Sequence, residues 1–426
     1  MQDIVKKTVL KNGIRIVTEK VPEVRSVSLG LWLDVGSRDE DPMHAGIAHL
    51  VEHMLFKGTA RYSALDIAMI FDQMGGMSNA FTSKETTCYY AKILDNHLEK
   101  ALSILSELFL YPSFEEKELQ MEREVVLQEI KMVFDTPEDY LYDAFGNLFW
   151  PENGLGRSVL GVPETIIPLQ AAELKDFVHK FYAGKGLIIS AAGNVDHKSF
   201  VEKTSALFSS FSRKNGFKNR SKPVSQRTVS IMPRDIEQAH ILLGFDGPSS
   251  SSEDRHAAAL FNVILGGSMS SRLFQEVREK RGLAYSIHSF VSSYHDAGLL
   301  GIAAAMSPEK VKDVVDIIFR ELERLSKEKI SWNDLESPKE HIKGGMLLAL
   351  ENTENRMTHL AKGEMIFKRH VPYRETMEGI DAVSPDDIKA FARHFLETGG
   401  SVAALGPIKE SQLRNCEGFF KRKSEK

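Results

Sequence analysis

The sequence predicts an α+β fold made of two homologous domains, each a mostly antiparallel sheet covered by helices on one side. Three observations carry that expectation. Apolar, β-branched runs such as VSLGLWLDV and HILLGF mix with longer 3.6-periodic segments such as HLEKALSILSELFLY, without strict βαβ alternation. The chain also repeats itself. The segments ELKDFVHKFYAGKGLIISAAGNV (173–195) and DDIKAFARHFLETGGSVAALGPI (386–408) both read as an amphipathic helix, a Gly turn and an apolar strand. Phe391 follows Phe177 by 214 residues, and the same offset carries Gly30 of SLGLWLD onto Gly244 of LLGFD. Third, at 426 residues the chain exceeds one ordinary core, and roughly two to three domains is the expectation.

In chain order, residues 1–212 form the first domain, 213–226 a basic linker and 227–426 the second domain. The linker expectation rests on SRKNGFKNRSKP, which carries Gly216, Pro223 and five basic residues, within a stretch from Lys203 to Arg234 that has no acidic residue.

Composition bounds the function classes. With 42% hydrophobic and 27% charged residues the chain can bury substantial cores. A net charge of -5 gives no excess of Lys and Arg for nucleic acid. Cys88 and Cys416 are the two cysteines, which argues against a disulfide framework and suits a reducing compartment. The start, MQDIVKKTVLKNGIRIV, has neither the apolar core of a secretion signal nor the Arg- and Ser-rich pattern of a transit peptide. No stretch approaches the ~20 apolar residues of a membrane helix, so the expectation is a cytoplasmic protein with no membrane partner.

His49-Leu50-Val51-Glu52-His53 places three polar residues at i, i+3 and i+4, on one face of a helix. Ala45, Ile47, Ala48, Leu50, Val51, Met54 and Leu55 suit a helix, and Lys57-Gly58 supplies a basic last turn and a C-cap. Two imidazoles one turn apart can bind one zinc, and the Glu between them points beside the metal. By itself the pattern is equally a buried or solvated helix face. His44 fits no ligand spacing and reads as a surface or capping residue.

Hydrolysis at such a site needs a third protein ligand and an open position for water. SFEEKELQMEREVVLQEIKMVFDTP offers a helix with a Ser113–Glu116 capping box, apolar Leu119, Val126, Ile130 and Val133 at helical spacing, and Pro137 just beyond its end. Glu122 and Glu129, two turns apart, project from one face. Pattern alone does not choose Glu129, since Glu on such a helix is usually solvated.

HLVEH followed by a Glu 76 positions after His53, with another Glu seven before that one, resembles the inverted-motif zinc peptidases of the pitrilysin and insulinase group. The likeness is greatest to the two-domain processing-peptidase branch, typified by the β subunit of mitochondrial processing peptidase, and to its bacterial homologues. It extends through GGMSNAFTSKETTCYY (75–90), GRSVLGVPETI (156–166), the GNV closing the first half, and LGGSMSSRLFQEVREKRGLAYSI (265–287). The resemblance implies one Zn2+ per chain held by His49, His53 and Glu129, with Glu52 as general base and Glu122 supporting the site. It further implies that Asn79, Ala80, Phe81 and Thr82 lie on an exposed edge strand that pairs with a substrate peptide, where alternation alone indicates an ordinary strand. Arg278 and Tyr285, seven apart as the family pattern requires, would reach the substrate carbonyl; a surface Arg and a core Tyr are the plain alternatives. A homodimeric clamshell enclosing short or unfolded peptides completes the implied picture.

The repeat offers a separate check. The 214-residue offset carries His49, Glu52 and His53 onto Val263, Gly266 and Gly267, and matching Ser113-Phe114 to Ser331-Trp332 carries Glu129 onto Leu347. The second copy has lost the metal set. Two other readings stand beside the endopeptidase: a noncatalytic scaffold or partner subunit of a peptidase-like complex, and a zinc-stabilised peptide-binding module without turnover.

Overall fold

The computed structural model describes residues 4–211, 220–328, 330–414 and 416; of the expected linker, 213–219 lie outside the described residues. The first half forms β1 (Val5–Val9), β2 (Arg15–Lys20), β3 (Ser26–Leu33), α1 (Ile47–Leu55), α2 (Ala64–Gln73), β4 (Met77–Thr82), β5 (Thr87–Leu94), α3 (Leu98–Leu110) and α4 (Glu116–Asp135). It continues through α5 (Pro137–Phe149), α6 (Pro163–Ile166), α7 (Ala171–Phe181), β6 (Leu187–Gly193) and α8 (His197–Leu207). The second half forms β7 (Val229–Met232), β8 (Ala239–Asp246), α9 (Arg255–Leu265), β9 (Ser286–Ser293), β10 (Gly298–Met306) and α10 (Val311–Lys327). It ends with α11 (Trp332–Ala349), α12 (Thr353–Phe367), α13 (Tyr373–Ala382), α14 (Pro385–Thr398) and β11 (Gly400–Leu405). Among the described residues no helix is long and apolar enough to cross a membrane.

The α+β expectation holds in both halves. One sheet runs β1-β2-β6-β3-β5-β4 and the other β7-β11-β8-β10-β9. Each has a single parallel junction, β2 with β6 and β7 with β11, and is otherwise antiparallel. The repeated segments fold alike, as α7 into β6 and as α14 into β11.

Cover on one side only is corrected by the structure. Along β3, Val27, Leu29, Leu31 and Leu33 enter the main core with α1, α3 and α7, while Trp32 points the other way into a second cluster with Val17, Ile188 and Ala192. A strand that is apolar on both faces must be covered on both. The second cover is α12, whose Met357, Leu360 and Ala361 complete that cluster. In the other sheet α5 does the same, packing Leu141, Phe145 and Phe149 against Leu242, Ala403 and Leu405. The two halves therefore exchange helices. Gly30 and Gly244, matched by the repeat, are where the exchange requires space. A Cβ on Gly30 would come within 2.5 Å of Trp32 Nε1 and 3.0 Å of Met357 Sδ, where Trp32 packs against α12, and one on Gly244 within 2.3 Å of Phe145.

Compactness consequently follows other boundaries than the duplication. One unit comprises Met1–Met132, Arg157–Arg220 and Leu348–Val371; the other comprises Val133–Gly156, Ser221–Leu347 and Pro372–Lys426. In the first unit α12 is tied down by an Arg356–Glu19 ion pair and by buried Glu364, which accepts from Lys7 Nζ at 2.6 Å and Arg15 Nη1 at 3.2 Å.

Candidate metal centre

Helix α1 buries Ile47, Ala48, Leu50, Val51, Met54 and Leu55 in the first unit's core, which fixes its rotation and turns His49, Glu52 and His53 to the opposite face. The neighbouring α4 buries Leu119 and Val126 and presents Glu122 and Glu129. Its start differs from expectation: α4 begins only at Glu116 and Phe114 has φ 49°, so Ser113 is no N-cap and the Ser113–Glu116 box does not form; its hydroxyl donates instead to Gly58 O, in the turn after α1, at 3.1 Å.

Ligand atoms of His49, His53 and Glu129 all lie within 4.8 Å of one another, the one such group of three among the described residues. His49 Nε2 and His53 Nε2 stand 3.7 and 3.8 Å from Glu129 Oε2. Three donors around a tetrahedral zinc at about 2.1 Å sit about 3.4 Å apart, so both His–Glu129 pairs need only a few tenths of an ångström of closure to share the ion. Two nitrogens and a carboxylate are also the donor chemistry of hydrolytic zinc.

Protonation states suit the same role. Burial, helped by neighbouring His53, pushes the His49 pKa down to about 4, so its imidazole is neutral at neutral pH. Its Nδ1 is buried and has no partner among the described residues. His53 Nδ1 lies 2.9 Å from Glu122 Oε2, and Lys57 Nζ lies 2.5 Å from the other carboxylate oxygen. Burial raises the Glu122 pKa, but the bonds from Lys57 and His53 outweigh it and hold the carboxyl below its ordinary value. An ionised Glu122 can only accept, so His53 donates from Nδ1 and leaves the Nε2 lone pair facing Glu129.

Glu52 lies on the same face of α1, and Thr82 Oγ1 donates to its Oε2 at 2.5 Å. Burial raises its pKa; the Thr82 bond and His53 oppose, and Glu129 adds to the rise. The result is a carboxylate more basic than an exposed Glu.

Asn79, Ala80, Phe81 and Thr82 belong to β4, the edge strand beyond β5. Ala80 packs on the core and Thr82 reaches Glu52, whereas Phe81 points to the opposite face, its ring 5.6 Å from Trp32. Arg278 and Tyr285 belong to the other compact unit, apart from the residues above in chain and core. Arg278 sits on a π-helical turn over the Phe274 ring, and Tyr285, 76% exposed, immediately precedes β9. The counterpart of α1 is α9, where Val263 replaces the first His and Gly266 and Gly267 fall beyond its last residue, while Leu347 lies exposed on α11. His44 is exposed, as expected.

Two residues of this centre escape sequence reasoning. Lys57 looked like a helix-end charge and instead grips Glu122. Glu40, 3% exposed, accepts from Gly46 N and Ala48 N at the start of α1. No spacing rule signals either, since both contacts depend on where α1, α4 and the preceding loop converge.

Comparison with known proteins gives a consistent picture. The family model described as insulinase (peptidase family M16) matches residues 15–162, and that described as peptidase M16 inactive domain matches 168–341. The chain is 39% identical to an uncharacterized zinc protease of Streptomyces coelicolor, over 96% of this chain and 91% of that one. It is 38% identical to the uncharacterized zinc protease YmxG of Bacillus subtilis, over 95% and 98%. The crystal structure of a protease from Helicobacter pylori superposes with a TM-score of 0.88 at 24% identity, over 95% of this chain and 99% of that one, a likeness of fold.

Proposed function

The chain belongs to the insulinase family, peptidase family M16, and from that premise we propose that it is a zinc-dependent endopeptidase acting on short or unfolded peptides. The observation that carries the proposal is the convergence of His49, His53 and Glu129 with a shielded, basic Glu52 on the same helix face. His49, His53 and Glu129 would hold one zinc ion per chain. When bound, zinc acidifies water and polarises the scissile carbonyl. Glu52 accepts the proton of the attacking water and returns it to the leaving amine as the peptide C–N bond breaks. Glu122, clamped by Lys57, keeps His53 in the tautomer that can ligate. Thr82 steers the Glu52 carboxylate, and Asn79 to Thr82 offer a free strand edge for an extended peptide, which would bind by main-chain hydrogen bonds.

Arg278 and Tyr285 are proposed to contact the substrate carbonyl, a role supported by the exposure of Tyr285 and by the family pattern. Because this chain supplies every catalytic part, we propose a homodimer; a sedimentation profile showing monomer alone at micromolar concentration would refute it. The enzyme reading is tested by incubating the purified, zinc-loaded chain with a library of unstructured peptides, beside a chelated sample and Glu52→Gln. Cleavage that depends on zinc and on Glu52 is the expected result. No zinc-dependent cleavage by the wild type would sink the endopeptidase; activity surviving Glu52→Gln would sink the assigned base.

A further inference from the structure

Helix α1 is nine residues long and begins only two residues before His49. The first four N–H groups of any helix lack acceptors within it, so its first turn is only as firm as its cap. A Ser, Thr, Asp or Asn side chain at the N-cap usually provides that acceptor. Here the N-cap is Gly46, at φ 92°, which has no side chain to offer. Space explains the glycine. A Cβ on Gly46 would come within 2.5 Å of Leu160 O, and one on Gly161 within 2.2 Å of Ala45 O. The backbone entering α1 is pressed onto the backbone of the GRSVLGVPET segment, with no room for a local cap.

Glu40 supplies the acceptors from six residues upstream. Its Oε2 receives Gly46 N and its Oε1 receives Ala48 N, both at 2.8 Å. Its main chain is held in turn by Arg157, whose Nη2 donates to Glu40 O at 2.8 Å, and Thr165 Oγ1 donates to Ala45 O at 2.7 Å. Glu52 and His53 lie a full turn further on, where intrahelical bonds, starting with Leu50 N to Gly46 O at 3.0 Å, take over. His49 directly follows Ala48, in the turn that depends on the cap.

We propose that Glu40 is a positioning residue of the metal centre, its buried carboxylate holding the first turn of α1 so that His49 stays in register with His53 and Glu129. The proposal rests on the reading of those three residues as zinc ligands. Loss of the cap frays the turn that carries His49 and leaves the other two donors in place, which weakens zinc binding rather than simply the fold. Burial pushes the Glu40 carboxyl up while the Gly46 and Ala48 N–H groups, Arg157 and Lys84 pull it down, and with an N–H donor on each oxygen the ionised carboxylate is the form that caps the turn.

The test uses the full chain. Zinc affinity is measured by competition with a chromophoric chelator for wild type, Glu40→Ala, Glu40→Gln and Val402→Ala. Val402 is fully buried in the second sheet's core, remote in chain and unit from α1, and controls for general loss of stability. Glu40→Ala should weaken zinc by on the order of 10- to 100-fold, the usual cost of losing an outer partner of a metal site. Glu40→Gln keeps one oxygen acceptor in the same volume and should recover part of the loss, and it carries the test should Glu40→Ala not fold. Val402→Ala should bind as wild type. Wild-type affinity in both Glu40 variants, or equal weakening by Val402→Ala, would overturn the proposal. A wild type that binds zinc but cleaves nothing would count against the endopeptidase and leave this comparison intact; one that binds no zinc overturns both.

Discussion

Replacing Glu122 by Gln tests whether this carboxylate sets the metal affinity. The side chain is 7% exposed and accepts from His53 Nδ1 at 2.9 Å and from Lys57 Nζ at 2.5 Å. The amide keeps shape and one acceptor but replaces the other by an NH2 donor. If its oxygen stays with Lys57, its NH2 faces His53 Nδ1, and the imidazole must move its proton to Nε2, the atom that faces Glu129. If its oxygen turns to His53, the Lys57 ammonium loses a charged partner in a largely buried place. Hydrogen bonds to charged groups are worth about 1.5–3 kcal/mol, and every 1.4 kcal/mol is about tenfold in affinity. Zinc binding should therefore weaken about 10- to 100-fold near neutral pH, read by chelator competition. An affinity within about threefold of wild type would refute the assigned role. The effect on metal-free stability has a defined pH window. The Glu122 pKa is lowered from 4.5 in the folded chain, so its contribution is complete above that value and is lost as pH falls through the lower folded one. Wild type and Glu122→Gln should converge in acid.

Three further outcomes are expected. Thr82→Val removes the hydrogen bond that lowers the Glu52 pKa, so the acid limb of the kcat/KM profile should move to higher pH; an unmoved or lowered limb would exclude Thr82 as a tuner of the base. Leu360→Ala, at a 1% exposed position of the exchanged α12, should destabilise the first unit by about 2–5 kcal/mol in urea unfolding followed by tryptophan fluorescence in a Trp150→Phe, Trp332→Phe background that leaves Trp32 as the reporter, and a loss under about 1 kcal/mol would mean that α12 is a loose cover. Metal analysis of the loaded chain should find about one zinc, as the single cluster of three donors among the described residues implies; a second tightly held ion would contradict the degenerate second copy.

What the sequence alone determined is what short-range periodicity and repetition encode. HLVEH reads as a helix face because 3.6 residues per turn must align 49, 52 and 53, and α1 has that form. The duplication is visible because both copies must bury similar strands, and Gly30 and Gly244 were aligned before their purpose could be seen. Tertiary structure decided everything that depends on separate elements meeting. The exchange of α5 and α12 was hidden because an amphipathic helix shows that it has an apolar face, not which sheet receives it. The one-sided cover expected from the sequence missed that β3 and β6 are apolar on both faces, and the identity of the second cover is not written in either strand. Likewise, Glu129 is one of many acids on α4 until α1 packs beside it, and Lys57 and Glu40 look like surface charge until folding brings half-buried Lys57 onto Glu122 and buries Glu40 at the start of α1. A metal centre is a coincidence of atoms within a few ångströms, and only the packed chain brings those atoms together.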